Sequence, residues 1–296
     1  MICARPKVTS NFSNTFNVLT SGYAPAILFF ISATHSISAP AEPLKISWTN
    51  NLLTVSDPRL PEGKLEIWYL EAFCRSGAWN RDWRQTTLPH KTTLVRADPD
   101  HHELEFRTLI DSGIELLHKV RADVDELDLQ FEFTNTSPSA VDLQWFEPAC
   151  IRVGPFTGST QSNYTARSFI FTSAGLTPLD HLRRTTNALY LGGQVYLPQW
   201  VRSADSNPRP ISLDHPENGI IGCFSADGKW LLATASDQTH ELFEGVYVCL
   251  HSDPRLDGLL PGEVKRRHSK IYFLPNHPSR LLARYRRDFP SSREAW

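Results

Sequence analysis

Apolar and polar residues alternate along most of the chain, a pattern typical of strands that bury one face. Turn residues separate these runs, most clearly at Asp227-Gly228, because this dipeptide readily adopts the positive φ angles of tight hairpins. A single helix is predicted over Ser279–Asp288, preceded by Pro278 and followed by Pro290. The predicted strands are Lys45–Trp48, Leu52–Val55, Lys64–Phe73, Thr92–Ala97, Glu103–Leu109, Ile114–Ala122, Glu126–Asn135, Val141–Val153, Arg167–Thr172, Ile220–Ala226, Trp230–Ser236, Leu242–His251 and Ser269–Leu274.

Many short strands joined by turns predict an all-β protein, a large antiparallel β-sandwich with one short C-terminal helix. The stretch 173–218 breaks this rhythm, since it is rich in Pro, Gly, Asn and Arg. A connection of that length within a domain is commonly functional or disordered. No internal repeat or second boundary is visible, so residues 42–296 are predicted to form a single domain.

The first 41 residues have a different composition, with no Asp or Glu and an apolar run over Ala24–Ala33. Small residues follow at Ala39-Pro40-Ala41, so this leader resembles a secretory signal peptide and is too short to remain as a membrane span. We therefore expect a secreted or periplasmic protein. The alternative is a disordered leader on a cytosolic protein.

Composition excludes several classes of function. The 296 residues carry a formal charge of −2 with both signs interleaved, which argues against nucleic acid and gives no reason to expect an anionic membrane. No Cys or His spacing typical of zinc and no nucleotide fingerprint occurs, so neither a metal nor a cofactor is predicted. The cysteines after the leader all lie in apolar runs and are either buried thiols or disulfides; they are Cys74, Cys150, Cys223 and Cys249.

The most distinctive segment is WNRDWRQTTLPH, residues 79–90, which is dense in flat rings and rigid hydrogen-bonding groups. Tryptophan stacks on the apolar face of a sugar, while arginine and aspartate bind its hydroxyls or carboxylates. His90 is a candidate acid or base. In the alternative interpretation, the tryptophans plug the end of the sandwich. The candidate binding residues here are Trp79, Asp82, Trp83 and Arg84.

A second candidate site lies in HELFEGVYVCLHSD, residues 240–253. In a strand, Glu241, Tyr247 and His251 share one face and suit proton transfer. Glu241 and His251 would be about 33 Å apart along an unbroken strand. They share a site only if the strand breaks, for instance at Gly245. The alternative is a hydrogen-bonded surface histidine near a strand end.

Further candidates come from two other segments. Pro148 favours a bulge that re-aims Glu147, and Arg152 follows on the same run; the pair binds substrate or forms an ion pair. His118 is interpreted as a core or concave-face histidine. The 192–209 stretch combines glycines, rings and donors, as a binding wall or a well-packed surface excursion would. Its candidates are Gln194, Trp200, Asn207 and Arg209.

Two segments resemble galactose-mutarotase-like β-supersandwich proteins. They are DELDLQFEFTNTSPSAVDLQW, residues 125–145, and LLPGEVKRRHSKIYFLP, residues 259–275. The resemblance implies the sandwich fold and a superfamily of sugar mutarotases, polysaccharide lyases and non-catalytic domains of glycoside hydrolases. Within it, the chain is most similar to a group of exported bacterial proteins that implies no function. The mutarotase His/Glu catalytic pattern is not recognisable, so activity does not follow from the fold.

Two functional hypotheses remain. In the first, an exported enzyme of lyase or epimerase type moves protons on a sugar or polysaccharide through His90, His251 and Tyr247, with arginines stabilising negative charge; a hydrolase with two carboxylates is less favoured. In the second, the protein is a non-catalytic glycan-binding or envelope structural protein. Convergence of histidine and arginine in one pocket would favour catalysis. The sequence leaves the oligomeric state open.

Overall fold

The computed structural model describes residues 42–290; the predicted leader lies outside them. Three short helices occur: α1 (Trp83–Thr86), α2 (Gly154–Thr157) and α3 (Pro278–Asp288). The strands, in chain order, are β1 (Lys45–Thr49), β2 (Leu52–Ser56), β3 (Lys64–Cys74), β4 (His90–Ala97), β5 (Glu103–Ile110), β6 (Ile114–Ala122), β7 (Glu126–Asn135), β8 (Trp145–Arg152), β9 (Ser168–Thr172), β10 (Gly175–Pro178), β11 (Gln194–Tyr196), β12 (Ile220–Phe224), β13 (Trp230–Ser236), β14 (Thr239–Gly245), β15 (Cys249–Pro254) and β16 (Val264–Pro275).

These strands form two antiparallel sheets, which confirms the predicted all-β sandwich. The seven-stranded sheet has the order β1-β2-β3-β8-β15-β14-β11. The nine-stranded sheet has the order β10-β9-β12-β13-β16-β7-β6-β5-β4. Each segment of the family resemblance lies in this framework, since residues 125–145 include β7 and residues 259–275 include β16.

The main core lies between the two sheets, where period-two alternation directs apolar side chains inward. Phe146 from the seven-stranded sheet contacts Phe131 and Phe133 from the nine-stranded sheet, with ring centroids 5.1 Å and 4.9 Å apart. Burying each such side chain stabilises the fold by about 2 kcal/mol. The opposite face of the seven-stranded sheet does not take part in this core.

The predicted C-terminal helix is confirmed as α3, which packs on the nine-stranded sheet away from that core. Leu281 and Tyr285 of α3 are buried in a second apolar cluster with Phe169 and Leu231. The Arg284 guanidinium also forms an ion pair with a carboxylate in the β6–β7 turn. No helix among residues 42–290 is long and apolar enough to cross a membrane.

Three predicted elements were wrong in extent. The single strand Leu242–His251 is a hairpin, because the chain turns after Gly245 and Val248 takes a φ of +55°. The predicted strand Val141–Val153 is shorter and begins at Trp145. The 173–218 stretch, predicted as a connection without strands, contributes β10 and β11.

Candidate functional site

A pocket of about 280 Å³ lies on the outer face of the seven-stranded sheet. Strands β3, β8, β14 and β15 provide its floor, because their residues alternate between this face and the core. Trp83 of α1 closes one side, and Gly192, Asn207 and Arg209 close another. Both segments that the sequence marked as unusual, 79–90 and 192–209, therefore contribute to one pocket.

A bulge between β3 and β8 turns Glu147 into this pocket. Ala72 pairs with Glu147 and Tyr69 with Ala149, so two residues of β3 stand opposite Pro148 alone. Proline has no N–H to donate to the neighbouring strand, and the extra residue in β3 accommodates that gap. The irregularity predicted at Pro148 is confirmed.

The β14–β15 hairpin brings His251 to the same face. Three turn residues, Val246 to Val248, separate the strands, and the alternation of side chains resumes in phase. Phe243 of β14 and His251 of β15 are therefore directly paired, with ring centroids 4.7 Å apart. Tyr247 lies at the exposed tip of the turn, where the Arg152 guanidinium is 5.9 Å from the ring centroid.

His251 is held by a buried carboxyl group. Its Nδ1 lies 2.9 Å and 2.7 Å from the two oxygens of Asp253, which is fully buried. Burial, followed by the negative charge of Glu71, raises the pKa of the Asp253 carboxyl. Because Nδ1 is engaged with Asp253, Nε2 is the ring nitrogen left to act on a ligand.

Glu147 faces the same site as an acid without a partner. Its side chain is buried, and no hydrogen bond from residues 42–290 reaches its carboxyl group. Burial raises the pKa of Glu147 well above its usual value, although the neighbouring His251 opposes this change. The raised pKa favours the protonated form of Glu147, the form in which a carboxyl group can act as a general acid.

Within the described part of the chain, Glu147, His251 and Asp253 each place one donor atom within 4.8 Å of the others. One imidazole nitrogen with two carboxylate oxygens could bind a divalent cation. The 2.7 Å contact between His251 Nδ1 and Asp253 instead matches a hydrogen-bonded pair. The three groups are therefore placed to act together on one ligand in the pocket.

Two arginines bring positive charge to the pocket. The Nη1 of Arg209 donates to the carbonyl of Gly192 at 2.7 Å, and its guanidinium lies 5.0 Å from the Tyr190 ring centroid. Burial lowers the pKa of Arg209 below its usual value, so desolvation favours an anionic ligand beside it. Arg152 of β8 supplies the second guanidinium.

The structure divides the predicted site residues into two equal groups. Those that line the pocket are Trp83, Glu147, Arg152, Asn207, Arg209, Tyr247 and His251. Those that do not line it are Trp79, Asp82, Arg84, His90, Gln194, Trp200 and Glu241. The enzyme hypothesis therefore rests on one of its two histidines.

His90 does not line the pocket, because it contacts the side of β3 that faces the core. Its ring packs edge-on against Phe73 at 4.8 Å, and Phe73 belongs to the core between the sheets. Ala72, the preceding residue, faces the pocket. Burial lowers the pKa of His90, which suits a neutral packed imidazole.

Several other predicted residues have structural partners. Asp82 is the N-cap of α1: it accepts from the Arg84 backbone N–H at 2.9 Å and from the Tyr190 hydroxyl at 2.7 Å. The Trp79 backbone N–H donates to the Ala204 carbonyl at 3.3 Å. The Arg255 guanidinium lies 4.3 Å from the Trp200 ring centroid.

The remaining two, Gln194 and Glu241, are buried in the strands that carry the site. Gln194 pairs with Glu244 across β11 and β14. Glu241 accepts from the Asn207 backbone N–H at 3.0 Å, and so anchors a residue that does line the pocket. Glu241 thus supports the pocket wall indirectly, through Asn207.

Sequence reasoning missed five polar residues at the site, Glu71, Thr87, Cys150, Cys249 and Asp253. A signal existed for Asp253, because it stands two residues after His251 and therefore shares its strand face. No local signal marks Glu71, which reaches the pocket only through the bulge opposite Pro148.

Solved structures with a similar fold include mutarotase-like proteins. The Slr1438 protein from Synechocystis sp. PCC 6803 has 10% identity and a TM-score of 0.43 over 78% of this chain and 95% of that chain. A galactose mutarotase-like protein from Clostridium acetobutylicum has 10% identity and a TM-score of 0.41 over 79% and 99%. A polysaccharide lyase has 12% identity and a TM-score of 0.35 over 80% and 33%. No protein-family model and no curated protein matches the chain.

All three TM-scores are below 0.5. At this distance a shared fold does not identify a reaction or a substrate. Function has to be inferred from the side chains in the pocket.

Proposed function

We propose that this protein is an enzyme of epimerase type that moves protons on a small acidic sugar. One observation carries the proposal: the unpartnered acid Glu147 and the Asp253-bound imidazole of His251 converge in a single pocket. An acid and a base side by side are what a proton-transfer reaction requires. A glycan-binding surface needs stacking rings and has no use for such a pair.

The roles are assigned from the contacts that each group makes. His251 Nε2 accepts the proton of the anomeric hydroxyl, and the imidazolium that forms is stabilised by Asp253. Glu147 donates its proton to the ring oxygen as the bond from that oxygen to the anomeric carbon breaks. The open-chain aldehyde rotates and closes on its other face, and the two proton transfers then run in reverse.

The size of the pocket favours a single sugar unit. Its volume of about 280 Å³ lies at the small end of ligand pockets in proteins. A lyase that acts within a polysaccharide would need a groove for the neighbouring units. We therefore favour the epimerase reaction over the lyase reaction.

The positive side chains suggest the charge of the substrate. Arg152 and Arg209 line the pocket, and guanidinium groups bind carboxylates in bidentate geometry. Trp83 provides a ring on which the apolar face of a sugar can stack. A uronic acid fits both features.

The proposal is tested by measuring exchange between the two anomers of uronic acids and neutral aldoses, by nuclear magnetic resonance with and without the purified full chain. We expect faster exchange for the acidic sugars. Glu147→Gln should reduce the enzymatic rate by about 10²-fold or more, because the amide cannot donate the proton. Arg84→Ala is the matched control, since Arg84 is exposed and lies outside the pocket lining.

Other outcomes distinguish the alternatives. Ultraviolet absorbance from unsaturated products of acidic polysaccharides would overturn the epimerase proposal in favour of a lyase. Saturable sugar binding without any change in exchange or absorbance would support the non-catalytic glycan-binding protein. Equal rates for Glu147→Gln and the unsubstituted chain would remove Glu147 from the mechanism.

A further inference from the structure

Two cysteines line the pocket on adjacent strands. Cys249 pairs with Arg152 and Leu250 with Ile151, so Cys150 lies diagonally across the β8–β15 ladder from Cys249 and on the same face. Both side chains therefore face the same pocket from neighbouring strands. Diagonal neighbours of this kind lie about 7–8 Å apart, so a disulfide between them draws the two strands closer at this point.

The surroundings of the pair leave its sulfurs accessible from the pocket. Gly245 stands directly opposite Cys249 and has no side chain; a Cβ there would lie 3.1 Å from Cys249 Sγ. Both cysteines are otherwise enclosed by protein, and they are free thiols in the structure. A reagent small enough to enter the pocket can therefore reach them.

Charge singles out one sulfur as the nucleophile. The neighbouring Cys150 thiol and the charges of His251 and Arg152 lower the pKa of Cys249 to about 7, and burial opposes this change. The same contact, together with burial, raises the pKa of Cys150. Thiolate reactivity follows such positive surroundings, so Cys249 reacts first and Cys150 is placed to resolve the product.

The other two described cysteines lack these features. Cys74 and Cys223 are buried, neither lines the pocket, and burial raises the pKa of each thiol. Neither has a neighbouring cysteine with which it shares a hydrogen bond among the described residues. Cys74 and Cys223 therefore serve as internal controls for thiol reactivity that depends on the pocket.

We propose that Cys150 and Cys249 form a redox-active dithiol, a modification site in the pocket that small peroxides convert to a disulfide. The Cys249 thiolate attacks one oxygen of hydrogen peroxide, the O–O bond breaks, and the departing hydroxide is protonated to water. The Cys249 sulfenic acid is then attacked by the Cys150 thiolate, which forms the S–S bond and releases hydroxide. In total, two thiols and one peroxide give one disulfide and two waters.

The disulfide would alter the pocket because both of its cysteines line it. Cys249 is two residues from His251 and pairs with Arg152, so drawing the two sulfurs together alters the wall between the base and a positive group. We expect the anomer-exchange rate to fall at least tenfold on oxidation and to recover with dithiothreitol. This consequence rests on the proposed function, whereas formation of the disulfide does not.

The test treats the full chain with hydrogen peroxide and follows it by mass spectrometry. We expect a loss of two hydrogen atoms and a peptide that joins residues 150 and 249, both reversed by dithiothreitol. Cys150→Ser should stop at a Cys249 sulfenic acid, and Cys249→Ser should not react at this site. Cys74→Ala is the matched control and should form the cross-link as the unsubstituted chain does.

A second measurement covers variants that fold poorly and does not depend on oxidation. Phenylarsine oxide bridges two neighbouring thiols, so the reduced full chain should bind one equivalent across residues 150 and 249. A cross-link between other cysteines, or failure of both the peroxide and the arsenical to join this pair, would overturn the proposal. Cross-linking in a chain that catalyses no sugar exchange would leave the dithiol standing and count only against the proposed function.

Discussion

Two buried histidines, one on each sheet, differ in what occupies their ring nitrogens. His118, from β6 of the nine-stranded sheet, lies between the sheets; its Nδ1 is 2.7 Å from the Tyr69 hydroxyl and its Nε2 is 2.9 Å from the Thr108 hydroxyl. His251, on the outer face of the seven-stranded sheet, uses Nδ1 for the Asp253 carboxyl and keeps Nε2 for the pocket. Both side chains are almost fully buried.

Burial alone does not distinguish the histidine proposed as the general base from one that packs in the core. Burial lowers the pKa of His118 to about 3, and two hydroxyl partners keep its neutral ring fixed. His251 has a partner that can stabilise positive charge and a nitrogen without a protein partner among the described residues. The nature of the hydrogen-bond partners therefore separates the structural ring of His118 from the ring of His251, to which the proposed function assigns the role of base.

The largest expected effect comes from substituting each of the two histidines separately. His251→Gln should reduce the anomer-exchange rate by about 10²- to 10⁴-fold, because the general base is lost. His118→Ala should instead lower the free energy of unfolding by about 2–4 kcal/mol, since it leaves a cavity and two unpaired hydroxyls. Exchange kinetics and urea unfolding of both variants measure the contrast.

Reversed effects of the two substitutions would contradict the roles given to His251 and His118. A His251→Gln variant with full activity, or a His118→Ala variant that folds stably but loses catalysis, would mean that the reactive ring lies between the sheets. Rates for His118→Ala should be compared at a temperature where the variant is fully folded.

An intermediate effect is expected at the positive wall of the pocket. Arg152→Lys should raise KM for an acidic sugar about tenfold with a smaller change in kcat, because lysine loses the bidentate geometry. A neutral sugar should show no such change. Arg84→Lys, at an exposed position outside the pocket lining, is the control. Equal KM changes for both sugars would indicate that Arg152 supports the wall and does not bind the acidic group.

The smallest effect should come from a buried acid on the core side of the same sheet. Glu244 accepts from the Ser168 hydroxyl at 2.8 Å through one oxygen, while its other oxygen has no partner among the described residues. Burial raises the pKa of Glu244 well above its usual value. The folded state thus binds this proton more tightly than the unfolded state, and its contribution to stability is lost as pH rises through the folded pKa.

Glu244→Gln should therefore flatten the dependence of stability on pH and be more stable than the unsubstituted chain at alkaline pH, by about 1–3 kcal/mol. Urea unfolding across a pH series measures this difference. Glu62→Gln is a suitable control, since Glu62 is exposed. Parallel pH curves for Glu244→Gln and the unsubstituted chain would show that this carboxyl titrates normally.

Much of the fold could be predicted because strand alternation is a local property. The β12–β13 hairpin follows from Asp227-Gly228, and the structure places Gly228 at a φ of +70°. The α3 helix follows from its flanking prolines. The β14–β15 hairpin was predicted as one strand, with a break at Gly245 as the alternative, because Val246, Tyr247 and Val248 favour strands and only a tertiary contact decides where such a run turns.

The candidate site was predicted less completely, for a related reason. Asp82 and Trp83 are neighbours in sequence, yet Asp82 caps α1 and Trp83 reaches the pocket. Composition identified the segment as unusual and could not assign the direction of each side chain. His90, which composition equally favoured, packs on the far side of β3 against Phe73.

By itself, the sequence determined the strands, the residues that share a strand face and a polar, aromatic character concentrated in a few segments, since these follow from side-chain chemistry within a few positions. The tertiary structure alone decided which of those segments meet. The bulge opposite Pro148, the hairpin after Gly245 and the order of strands in the sheet bring Glu147, His251 and Cys150 together. Pairing between strands distant in the chain depends on closure of the whole sheet, which no local pattern encodes.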